Sequence, residues 1–289
     1  MNLKKIMAAM CIGVLSVTAL AGCTGTTKKN NKTVKLGYVN WAEGVAMTNL
    51  AKAVLEDKMG YKVDLTMGEA GMIFTSVAEN DLDAFLDAWL PVTHKDYMDR
   101  YKSDLDDLGT NYDDAKIGLV VPKEFNINSI EELNKVKDKV EGKIIGIDAG
   151  AGIMKASKKA IEDYKLNYEL LEGSGPAMTT MLKDAVGKKK PIVVTGWKPH
   201  WMFARWNLKF LEDPKHSFGD VESIHTVSRK GFKEDMPEVA EFLKNFKLDD
   251  LQLGTLMGLI EESNKDPLDC AKEWIKDNED LVNSWIPKK

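Results

Sequence analysis

The chain has 289 residues, with 45 Asp and Glu against 40 Lys and Arg and a formal net charge of -5. That acidic balance excludes the basic footprint that nucleic acid or an anionic membrane surface calls for. Three cysteines are too few for a disulfide scaffold, while 44% hydrophobic residues over this length suffice for a large core in one or two domains.

Lys4 and Lys5 precede an apolar run from Ile6 to Ala19, and Leu20-Ala21-Gly22-Cys23 follows. This is the plan of a secretory signal over residues 1–22. The run is short for a bilayer span of roughly 20 residues, which weighs against an uncleaved anchor. The small residues before Cys23 resemble the lipobox of bacterial lipoproteins. That resemblance implies cleavage before Cys23, a diacylglyceryl group on its thiol, and attachment to the outer face of the cell membrane. Residues 23–33 are polar and aperiodic and read as a tether. Cys11 leaves with the signal, so Cys270 stands alone in the folded part and reads as a buried, inert thiol.

Val34 to Val39 reads as a strand, and Glu43 to Met59 as a helix through Val45, Met47, Leu50, Ala53 and Leu55, stopped by Gly60. Tyr61 to Met67 alternates as a second strand, Ile73 to Glu79 begins a helix, and Leu82 to Leu86 leads a strand into Trp89. Ile117 to Val121 is a strand closed by Pro122. Ser129 is expected as an N-cap with Glu132 as its capping-box partner. Lys143 to Ile147 is a strand running into Asp148-Ala149-Gly150-Ala151-Gly152-Ile153, followed by a helix from Met154 to Tyr164. Leu166 to Leu171 is a strand and Ala177 to Ala185 a helix. Ile192 to Thr195 is a strand that Gly196 is expected to break. His225 to Ser228 is a last strand, and amphipathic helices follow at Pro237 to Asn245, Asp249 to Ser263 and Pro267 to Lys276.

The β-α-β-α-β order occurs twice, which predicts an α/β fold of two lobes with crossover helices on parallel strands. Residues 34–118 with 223–289 form the expected lobe one, and residues 119–222 lobe two. No later segment is long and apolar enough to span a bilayer.

Of seven tryptophans, Trp41, Trp89 and Trp197 each close a strand-like run, where ligands sit in open α/β sheets. A single Trp is more often core, and Trp206, Trp274 and Trp285 are read so. Three indoles at strand ends can instead converge on a cation, each worth about 0.5–1 kcal/mol exposed and about 2 kcal/mol desolvated. Gly150-Ala151-Gly152-Ile153 joins a strand to a helix whose first N–H groups are free for an anion. It lacks the spacing of a dinucleotide or phosphate loop, and a plain turn is the alternative. His94 and His200 follow Trp89 and Trp197 closely, and either could donate to a carboxylate. His216 and His225 have no such neighbour. Asp104 to Asp107 and Glu261-Glu262 read as solvated helix or loop faces. No Gly-x-Ser-x-Gly or His-Glu-x-x-His motif occurs, so no enzyme, no cofactor and no metal is expected.

With these residues together, the chain resembles the glycine betaine/proline betaine-binding lipoproteins of osmoprotectant ABC importers. The resemblance rests on Gly37-Tyr38-Val39-Asn40-Trp41, Asp87-Ala88-Trp89-Leu90-Pro91, Asp148-Ala149-Gly150-Ala151-Gly152-Ile153 and Thr195-Gly196-Trp197-Lys198-Pro199-His200-Trp201. It implies a type II periplasmic-binding-protein-like fold, hinged between two lobes. It also implies a trimethylammonium box of Trp41, Trp89 and Trp197, carboxylate binding by the amides of Gly152 and Ile153 and by His94 or His200, and delivery to an ABC permease. Choline, carnitine or proline betaine on the same fold is the near rival. A surface hydrolase, or a structural lipoprotein with its indoles in the core, is the distant one.

Overall fold

The structure, a computed structural model, describes residues 32–263 and 265–288. The expected signal, Cys23 and all but the end of the tether lie outside the described residues. Among the described residues no helix is long and apolar enough to cross a membrane.

Thr33–Tyr38 forms β1, Ala42–Asp57 α1, Lys62–Met67 β2, Ala70–Ala78 α2 and Ala84–Leu90 β3. Val34 and Leu36 of β1 are fully buried on alternate positions, as a strand covered by helices requires. α1 buries Ala46, Met47, Leu50, Ala53 and Val54 on one stripe and ends before Gly60, which takes φ 77. β1 pairs in parallel with both β2 and β3.

Lys95–Arg100 is α3, and Leu105–Pro122 is β4, an 18-residue strand. A 3-10 helix, Ile130–Val140, precedes β5 (Lys143–Ile145), α4 (Gly152–Asp163), β6 (Glu169–Leu171), α5 (Gly175–Gly187) and β7 (Val194–Lys198). α6 (Met202–Arg205) and β8 (Leu208–Phe210) lead to β9 (Glu222–Arg229). Five helices close the chain: α7 (Phe232–Asp235), α8 (Pro237–Asn245), α9 (Asp250–Glu262), α10 (Pro267–Asp277) and α11 (Glu279–Trp285). Both α9 and α10 pack against α1.

The strand order is β2-β1-β3-β9-β4-β7-β5-β6, with β8 on β4. β4 joins the two halves of the sheet. From Leu105 to Ala115 it pairs antiparallel with β9, and from Lys116 to Val120 with β7. The chain therefore passes from the β1–β3 half to the β5–β7 half at Ala115–Lys116, and returns where β9 begins at Glu222.

Three sequence expectations need correction. Gly196 does not break a strand: β7 runs on through Trp197, and Gly196 pairs with Gly118. A Cβ at Gly196 would lie 2.4 Å from Val120 Cγ2, so the glycine serves close strand packing. Leu105 to Asp107 is strand rather than solvated loop, because β9 supplies partners through bulges that leave the acidic side chains outside. Ser129 caps a 3-10 turn by accepting from Glu131 N, and Glu132 reaches Asn128 N instead of closing a box. Cys270 is free and fully buried.

Candidate functional site

Trp41 is the N-cap of α1, Trp89 the penultimate residue of β3 and Trp197 the penultimate residue of β7. β1 and β3 are parallel neighbours, so Trp41 and Trp89 leave the sheet at the same edge. β7 belongs to the other half and brings Trp197 from across the sheet. The three indoles line one small cavity between the halves. Each is at most 5% exposed. The cavity also meets His94, Gly152 and Ile153, so it gathers every residue that the resemblance implies for ligand binding except His200.

His94 is held from three sides. Its Nδ1 accepts from Trp89 N at 2.9 Å, and its backbone N–H donates to Trp89 O at 2.9 Å. Trp41 stacks on the ring at 5.8 Å, and Phe74 meets it edge-on at 5.3 Å. Burial lowers its pKa from 6.5 to about 3, so the ring is neutral. With Nδ1 accepting, the proton sits on Nε2, which is buried and has no partner. The turn carrying His94 is pinned by Glu222 at the start of β9. Val92 N and Thr93 N donate to Glu222 Oε1 at 2.6 and 2.8 Å, and Thr93 Oγ1 donates to Oε2.

Opposite His94 stands the N-terminus of α4. Gly152 and Ile153 open this helix, so their N–H groups have no intrahelical acceptor and carry the positive end of its dipole. A Cβ at Gly152 would lie 2.4 Å from Thr93 O, so glycine is required where the two halves meet. Tyr97 OH donates to Gly150 O at 2.9 Å across the same seam.

His200 lies elsewhere. It packs edge-on against Trp197 at 4.8 Å and accepts from Met202 N through Nδ1 at 3.0 Å. It backs the indole and does not line the cavity. Burial lowers its pKa to about 3 as well.

Three acids went unread in the sequence. Trp41 Nε1 donates to Asp148 Oδ1 at 3.0 Å, Trp89 Nε1 to Asp87 Oδ1 at 2.8 Å and Trp197 Nε1 to Glu43 Oε2 at 2.7 Å. Burial raises Glu43 to about 8, and burial together with the Glu43 charge raises Asp87 well above the usual carboxylate range. The available signal was the mirrored spacing Trp41-Ala42-Glu43 and Asp87-Ala88-Trp89. Among the described residues no group of His, Cys, Asp and Glu could hold a metal ion.

The arrangement offers aromatic faces for a cation and, opposite, N–H donors for an anion. Comparison with known proteins bears on the family and the fold. Residues 32–277 match the OpuAC family model, the substrate binding domain of ABC-type glycine betaine transport system. Over 145 residues, 49% of this chain, the sequence is 50% identical to the glycine betaine/carnitine transport binding protein GbuC of Listeria monocytogenes. The match spans about half, 48%, of that relative's length. Lactococcal OpuAC, solved closed with glycine betaine, is 38% identical with a TM-score of 0.84, covering 89% of this chain and 100% of that one. The glycine betaine, L-proline ABC transporter binding protein ProX from Borrelia burgdorferi is 35% identical with a TM-score of 0.85, covering 89% and 97%. The fold is that of the type II periplasmic binding proteins to which both belong.

Proposed function

The chain belongs to the OpuAC family of substrate-binding domains from ABC-type glycine betaine transport systems, and from that premise we propose that it captures glycine betaine for import. The observation that carries this reading is one cavity lined by three indoles, a neutral His94 and the start of α4. A quaternary ammonium has no N–H to donate, so aromatic faces are its best partner, at about 2 kcal/mol or more each when water is excluded. The carboxylate of the same ligand takes the Gly152 and Ile153 amides and His94 Nε2–H. His94, and not His200, is the carboxylate donor in this reading, since His200 stands behind Trp197.

The two halves act as lobes that hinge at Ala115–Lys116 and near Glu222. Closing excludes water and strengthens both sets of contacts. It also makes a surface that a permease can tell from the open one. Relatives of this chain are transport binding proteins, which supports a ligand that is held and released unchanged. Lipidation at Cys23 would keep the receptor on the outer face of the membrane beside its permease.

Calorimetric titration with glycine betaine, proline betaine, carnitine and choline tests the assignment. Tightest binding of a betaine carrying both charges is expected. Choline lacks the carboxylate and leaves the α4 amides unused, so choline as the tightest ligand would reassign the site. No heat from any of the four would overturn it.

A further inference from the structure

The indole N–H groups of the cage all end on carboxylates, and each of these carboxylates keeps its second oxygen without a partner: Glu43 Oε1, Asp87 Oδ2 and Asp148 Oδ2. Buried unpaired carboxylate oxygens are costly, and a fold that keeps three around one cavity has a use for them. Glu43 is the most telling. It is 1% exposed, it lines the cavity itself, and it lies in the first turn of α1, whose N-terminus favours negative charge. Asp87 lies against the next residue, since a Cβ at Gly44 would stand 2.6 Å from Asp87 Oδ2, and it feels the Glu43 charge.

We propose that Glu43 is the specificity-determining residue of the cage, with Asp87 and Asp148 as positioning residues, and that together they supply the negative charge by which the cavity chooses a cationic head over a neutral one of the same shape. The proposal rests on the reading of the cavity as a quaternary-ammonium site. A carboxylate accepting an indole N–H pushes electron density into the ring, which makes the face more attractive to a cation. The charge of Glu43 acts directly as well, through a medium from which water is excluded. Burial resists ionisation of the pair, pushing Glu43 up to about 8 and, with the Glu43 charge, Asp87 well above the usual carboxylate range. A cation between the rings offsets that resistance, so charge on the acids and occupancy of the cage favour one another.

Shape and charge separate in one comparison. The tert-butylacetate anion copies glycine betaine with carbon in place of the quaternary nitrogen. Glu43→Gln keeps an oxygen that can accept from Trp197 Nε1 and removes the charge. Competition titrations of both ligands on wild type and Glu43→Gln give a selectivity ratio, betaine over isostere. The proposal expects that ratio to fall tenfold or more in Glu43→Gln and also to fall in Asp148→Asn. Melting of the ligand-free Glu43→Gln protein should be unchanged or higher, since the cost of keeping a buried carboxyl protonated near neutrality is gone. A ratio that stays put while both affinities fall together would make Glu43 merely structural and overturn the proposal. Wild type that binds glycine betaine and a variant that binds it equally well overturns this inference alone. Wild type that does not bind glycine betaine overturns the functional reading and this with it.

Discussion

The indole Nε1 of Trp197 donates to Glu43 Oε2 at 2.7 Å, although 154 residues separate the two. Trp41 makes the reverse crossing, from the first half of the sheet to Asp148 in the second, at 3.0 Å. Each half thus fixes an indole that belongs to the other, and the cavity the three indoles line is complete only when the halves meet.

Trp197→Phe keeps an aromatic face and removes the N–H. A hydrogen bond to a charged group is worth about 1.5–3 kcal/mol. Glycine betaine affinity should fall by about tenfold to a hundredfold, with the loss in the dissociation rate, because the closed state is what the bond holds. Calorimetry and stopped-flow fluorescence check this. Affinity within twofold of wild type would mean the crossing bond does no work in binding.

Gly152→Ala should fold normally and bind poorly. Its Cβ would stand 2.4 Å from Thr93 O, across the seam, where a backbone cannot yield. In small-angle scattering, wild type should contract on adding glycine betaine and the variant should not. Contraction of the variant to the same radius would show that the seam is looser than it stands here.

His94→Ala removes the one ring nitrogen that faces the cavity without a partner. A loss of about tenfold to a hundredfold in glycine betaine affinity is expected. His200→Ala removes only an edge-on contact to Trp197, worth about 0.5–1.5 kcal/mol, and should cost less. A larger effect at His200 would transfer the carboxylate to it.

Stability should fall on both sides of neutrality. His94 and His200 are lowered from 6.5 to about 3, so the unfolded chain takes up protons that the folded protein refuses. Their contribution is full above about pH 6.5 and is lost as the pH falls toward 3. Glu43 acts with the opposite sign over an overlapping window, so its decline shows above about pH 6.5, where the histidines contribute fully. Its pKa is raised from 4.5 to about 8, so the folded protein keeps a proton that the unfolded chain gives up, and stability declines as the pH rises between those values. Urea midpoints of the ligand-free protein should show both limbs. Glu43→Gln should flatten the alkaline one and His200→Asn should make the acid one shallower. Superimposable profiles for all three proteins would contradict these assignments.

Much of this was legible in the sequence. The apolar period of α1 and the β-branched runs of β1 and β7 declare themselves, and Trp41, Trp89 and Trp197 stand at the ends of such runs. The helices α8, α9 and α10 begin and end within a residue or two of their expected bounds. What escaped has physical reasons. The first part of β4 carries Asp106 and Asp107, and only its pairing with β9, a hundred or so residues later, makes it a strand. Gly196 reads as a breaker because local propensity does not record that Val120 needs the room of a missing side chain. Glu43 and Asp87 look like ordinary helix and strand acids, since burial and an indole partner are tertiary facts. His94 and His200 have similar sequence surroundings, and only the direction in which each ring faces separates them.

The central claim is that three indoles from distant segments close on one cation. Its most direct test is the equilibrium affinity for glycine betaine of wild type against Trp89→Ala, measured by calorimetry under one buffer. The account predicts saturable one-to-one binding by wild type and a loss of about a hundredfold or more in the variant, since a desolvated cation–aromatic contact and its packing are removed. Equal affinity in the two proteins would contradict it.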